Sequence, residues 1–140
     1  MGEPYNTNLA AEFHVLSALY RLGMQANLTL GNRKSVDIVV VRDAGDAVTI
    51  DVKGPAGDTG WPVENVKSGR ANHFMVFVGF KNKIEDLKNL PEIYVVPSER
   101  LAEITYSSPN SKRKVVRASL MRKPEQAEFR DAWHLILENR

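Results

Sequence analysis

Apolar and polar positions alternate in a way that assigns most of the chain to elements. Over residues 8–22, Leu9, Phe13, Leu16 and Tyr20 recur at helical spacing, which predicts a helix with that stripe as its buried face. Thr7 or Asn8 would cap its start and Gly23 would end it. Residues 26–30 suit a short strand. Residues 36–42 and 47–53 suit two longer strands joined at Asp43-Ala44-Gly45-Asp46, a turn signal that predicts a hairpin. Residues 54–60, with three glycines and a proline, read as a loop. Residues 74–80, FMVFVGF, are apolar on both faces and predict a central strand covered on both sides. A further strand is expected at 92–96, the entry to a short helix at 97–100, and an edge strand at 115–120. A closing helix is expected at 124–138, with Phe129, Trp133 and Ile136 on one face. The mixture predicts an α/β fold with a sheet packed between helices.

Composition narrows this only slightly. A chain of 140 residues, 43% hydrophobic and 26% charged, is expected to form one domain, 1–140, with a core of its own. Without cysteine there is no disulfide frame and no thiolate metal site. The first residues lack the basic and apolar regions of a signal peptide, and no apolar run approaches a membrane span. A cytoplasmic protein with no membrane partner is therefore expected.

The charges inside the strands change the picture more. Asp37 lies in SVDIVVV, where a lone buried carboxylate would need a partner, a metal or an opening to solvent. In TIDVKG, Asp51 and Lys53 share one strand face, with Val52 on the other. An odd-length connection, or a bulge around residues 43–46, would set Asp37 opposite Asp51 or Lys53; a two-residue loop would set it opposite Val52. Two carboxylates on one face offer the hard oxygen ligands that Mg²⁺ or Mn²⁺ prefers. Lys53 could then orient an attacking water or neutralise charge building on a phosphate. The simpler alternative is a surface ion pair between Asp51 and Lys53 near a strand end. Glu12 likewise has two readings. It can merely complement the helix dipole, or, one position from the apolar stripe, it can look over the core edge toward the sheet.

A helix with Glu12, a strand with Asp37 and a strand with Asp51-Val52-Lys53, in that order, resembles the PD-(D/E)xK nuclease superfamily. The resemblance covers roughly the first two-thirds of the chain. It implies a restriction-endonuclease-like mixed central sheet flanked by helices, with an αβββαβ core, here followed by a C-terminal edge strand and helix. It implies Asp37 and Asp51 as metal ligands, Glu12 as an auxiliary acid and ligand, Lys53 as the residue serving the nucleophilic water, and Mg²⁺ or Mn²⁺ as cofactor. Val36 stands where the family name has proline. The activity implied is metal-dependent hydrolysis of phosphodiesters, DNA more than RNA. Nucleases of this type often act as homodimers, although no segment marks a dimer face. The alternative is a nucleic-acid-binding or scaffold domain of the same fold that does not cut and serves a larger complex.

Basic residues would supply the affinity for nucleic acid. Residues 112–123, KRKVVRASLMRK, contain six cations and no acid. Lys112, Arg113, Lys114 and Arg117 there can neutralise phosphates or simply protect a sheet edge from pairing. Arg33 and Lys34 precede the Asp37 strand, and Lys67 and Arg70 follow the Lys53 loop. Trp61 in that loop could stack on a base, but packing against the domain is favoured. His14, His73 and His134 match no metal-binding spacing and read as structural.

Overall fold

The computed structural model describes residues 4–29, 36–55, 57–64, 66 and 69–138. Helix α1 (Pro4–Arg21) leads into β1 (Gln25–Leu28), β2 (Ile38–Val41) and β3 (Ala47–Lys53). After β4 (Gly60–Pro62) come β5 (His73–Gly79), β6 (Glu92–Pro97), α2 (Leu101–Ile104), β7 (Thr105–Ser107), β8 (Lys114–Arg117), α3 (Ala118–Met121) and α4 (His134–Leu137). The main sheet has five strands in the order β1-β2-β3-β5-β6. It is mixed: β3 and β5 run parallel, and every other neighbouring pair is antiparallel. No helix among the described residues is long and apolar enough to cross a membrane.

The sheet separates two apolar clusters. On one face Ala11, Val15 and Leu19 of α1 meet Ile38, Val40, Val48, Ile50, Val52, Val76 and Val78. On the other, Met75, Phe77, Tyr94 and Val96 pack with Trp61, Leu101, Val116 and Phe129. Every residue of β5 is buried, as its uninterrupted apolar sequence predicts. The indole of Trp61 donates to the Val78 carbonyl at 2.9 Å and lies edge-on to Tyr94, so this side chain is core rather than a platform for bases.

Several sequence expectations change. The buried face of α1 is Thr7-Ala11-Val15-Leu19, not the Leu9-Phe13-Leu16-Tyr20 stripe, of which Phe13 and Tyr20 are exposed. At Ala11 a small residue lets the helix approach the sheet closely. A Cβ placed on Gly54 would stand 2.3 Å from the Ala11 Cβ. Between β3 and β5 the described residues contain β4 and loops, with no second helix. The expected edge strand is instead the middle of a second sheet, β4-β8-β7, and its last residues turn into α3. The expected closing helix is broken. Residues Pro124–Phe129 form 3-10 turns, Asp131 adopts φ 50°, and only His134–Leu137 is α-helical. The Asp131 N–H donates to the Ile93 carbonyl instead of continuing a helix. This break sends Phe129 to one face of the sheet and Ile136 to the other.

Candidate active site

The β2–β3 hairpin decides whether the acids can meet. Val41 pairs with Ala47 and Ile38 with Ile50, so residues 42–46 form an odd-length connection. The ladder ends at Ile38–Ile50, with Asp37 and Asp51 the next residue of each strand. The Asp37 N–H donates to the Ile50 carbonyl at 2.9 Å, and its carboxylate Oδ2 accepts the Val52 N–H at 2.7 Å. The hairpin is held from outside by Arg42, whose buried guanidinium donates to the carbonyls of Ile136 and Leu135 and to Asp46. In β3, Val48, Ile50 and Val52 are buried, while Thr49, Asp51 and Lys53 are partly exposed.

Glu12 arrives from the helix. Ala11 seats α1 on the backbone at Gly54, directly after Lys53, and Glu12 follows Ala11. The electrostatics record the resulting proximity. Burial, reinforced by the charge of Asp37 and opposed by Lys53, pushes the Glu12 carboxyl up to about 7. The Asp37 carboxyl is also raised, chiefly by burial and then by Asp51, against the Val52 hydrogen bond and Lys53. Three acids and one amine thus share a region in which burial disfavours the charged form of Glu12 and Asp37.

Asp51 has further partners. His73 Nε2 lies 2.9 Å and Arg70 Nη2 3.1 Å from its Oδ2. The sequence showed no reason to link His73 to the site. The link comes from the parallel β3–β5 register, which sets Thr49 beside His73 and Asp51 beside Met75. For Asp37 and Asp51 alike, the anchoring bonds fall on Oδ2.

The donor set suits a hard divalent cation: two carboxylates at the same end of the hairpin ladder, and repulsion that a cation would relieve. Among the described residues, no three His, Asp or Glu side chains are gathered closely enough to cage an ion by themselves. Waters would have to complete the shell of an ion held by Asp37 and Asp51.

The predicted nucleic-acid residues divide into three groups. Lys112, Arg113, Lys114 and Arg117 are exposed on and before β8. The Arg117 guanidinium lies 3.6 Å from the centre of the half-exposed Tyr106 ring. Arg70 is drawn into the site against Asp51. Arg33, Lys34 and Lys67 lie outside the described residues.

The chain is similar in fold to a bacterial homing endonuclease. That solved structure, of I-Ssp6803I, aligns over 97% of this chain and 94% of its own with a TM-score of 0.59 and 22% sequence identity. No family model and no curated protein matches the sequence. The likeness establishes a nuclease-like mixed α/β fold, while the residue roles rest on the geometry above.

Proposed function

We propose that this protein is a PD-(D/E)xK-type nuclease that hydrolyses phosphodiesters in DNA with the help of Mg²⁺ or Mn²⁺. The observation that carries this is the meeting of Asp37 and Asp51 at the end of the hairpin ladder, near enough for the charge of Asp51 to act on Asp37, with Lys53 on the same strand and Glu12 coupled to both Asp37 and Lys53. A fold similar to that of a homing endonuclease supports the reading.

Asp37 and Asp51 would hold the cation, with Glu12 assisting through water. When bound, the cation supplies charge neutralisation at the scissile phosphate and lowers the pKa of an attacking water. The chain does the rest. Asp37 and Asp51, each bonded at Oδ2, would offer their other oxygens to the cation. Lys53, one strand position beyond Val52, offers an ammonium that orients the water or meets charge building on the phosphate. Glu12, raised toward neutrality, can exchange a proton with solvent near the working pH. The cations on and before β8 add affinity that is independent of sequence and sensitive to salt.

A second reading has one observation in its favour. Arg70 and His73 both occupy Asp51 Oδ2, as they would in a binding domain that keeps the fold without cutting. Cleavage of plasmid, linear and branched DNA, with Mg²⁺, Mn²⁺ or EDTA, separates the two. The nuclease reading expects metal-dependent cleavage that Asp51→Ala abolishes and Lys53→Ala lowers by about 10²–10³-fold. Binding without cleavage in either metal would establish the second reading. Equal cleavage by wild type and both variants would exclude this site.

A further inference from the structure

His73 opens β5, a strand otherwise made of apolar residues and glycine, and its side chain is 0% exposed. Its Nδ1 is buried without a hydrogen-bond partner, so Nε2 alone compensates the imidazole for its lost water. Nε2 lies 2.9 Å from Asp51 Oδ2 and 2.8 Å from Arg70 Nη2. One ring nitrogen cannot donate to a carboxylate and accept from a guanidinium at once. A proton on Nε2 satisfies Asp51, leaves only a lone pair at the buried Nδ1, and lets Arg70 donate to the same Oδ2. The other tautomer would bury an unpaired N–H and forfeit the bond to Asp51. The geometry therefore favours Nε2–H.

We propose that His73 is a positioning residue for Asp51: its Nε2–H holds Oδ2 and turns Oδ1 toward the cation shared with Asp37. This rests on the cation-dependent reading of the site. Two features make His73 the anchor rather than Arg70. His73 and Asp51 stand on adjacent parallel strands in the middle of the sheet, so the bond joins two rigid elements. Arg70 comes from the segment before β5, is about a third exposed, and brings a positive charge that competes with a metal for the same carboxylate. Carboxylate ligands are commonly oriented by such outer hydrogen bonds, and removing one typically costs about 10–100-fold in metal affinity.

The opposite signs expected for the two neighbours make the test sharp. Mn²⁺ is titrated calorimetrically into the full chain, metal-free, for wild type, His73→Leu, His73→Gln and Arg70→Ala, with thermal melts to confirm folding. His73→Leu should weaken Mn²⁺ binding by about 10–100-fold. His73→Gln places an amide N–H near the position of Nε2 and should recover most of that loss. Arg70→Ala removes the competing charge and should tighten binding. Should His73→Leu not fold, His73→Asn, whose amide is too short to reach Asp51, takes its place with the same expectation. A folded His73→Leu or His73→Asn that binds Mn²⁺ as tightly as wild type would overturn the proposal. So would an Arg70→Ala loss equal to that of His73→Leu, which would make the guanidinium the anchor. Wild type that takes up no Mn²⁺ would instead remove the cation-dependent reading on which the proposal stands.

Discussion

Among the described residues, the acids at Glu92 and those around Asp51 are treated in opposite ways. At the start of β6, Glu92 is 4% exposed and fully answered. Arg122 pairs with it through both Nε and Nη2, Tyr94 donates its hydroxyl at 3.1 Å, and Arg130 stands 4.0 Å away. Arg122 also pairs with Asp58, so a loop, a strand and the C-terminal segment are tied by one guanidinium. Gly79 makes room for it, since a Cβ there would meet the Glu92 side chain at 2.7 Å. At the end of β3, by contrast, Glu12, Asp37 and Asp51 share Lys53 and the Arg70–His73 pair, and two of the three carboxyls are raised. A closed network of charges holds structure together. Carboxyls raised mainly by burial and further by one another's charge are groups a ligand can stabilise, which is a mark of functional sites.

That contrast can be broken at either end. The largest effect on stability is expected from Arg122→Ala, which strands Glu92 in the interior. Discounting the partial exposure of Arg122, the loss should be about 2–3 kcal/mol by urea unfolding, with Mn²⁺ affinity unchanged. Next comes Gly54→Ala. The added methyl group collides with Ala11 and lifts α1, so stability should fall by about 1–3 kcal/mol and cleavage by about 10²-fold through displacement of Glu12.

Glu12→Gln should act in the opposite direction. A carboxyl raised from 4.5 to about 7 in the fold contributes stability below its unfolded value and loses it as pH rises through the folded one. In EDTA, the wild type should therefore weaken between those two values, and the Gln variant should weaken less, since only Asp37 then remains raised. At about pH 8 the variant should be the more stable by about 1 kcal/mol, after discounting for solvent exposure. Divalent metal should narrow this difference, since it stabilises the wild-type carboxylates. The smallest effect is expected on β8. Replacing Lys114 or Arg117 by Ala should reduce the slope of log affinity for DNA against log salt by about 1 without altering metal binding.

How far the sequence could be read follows from the range of the interactions involved. The β2–β3 hairpin and central β5 were legible because alternation and turn residues are local signals. The D-x-K spacing placed Asp51 and Lys53 on one face for the same reason. The buried face of α1 was misread because large apolar residues suggest a core, whereas close approach to Gly54 selects the small Ala11. The break near Asp131 depends on a long-range bond to Ile93, which no local pattern carries. His73 was invisible as a site residue because its proximity to Asp51 exists only through the parallel pairing of β3 with β5.

The central claim is that Asp37 and Asp51 together hold a catalytic divalent cation. Anomalous diffraction from crystals soaked in Mn²⁺ tests it most directly. The account predicts a peak between the two carboxylates, on the side of Oδ1, that disappears in Asp51→Ala. Crystals saturated with Mn²⁺ that show no peak there, or a peak unaffected by losing Asp51, would contradict it.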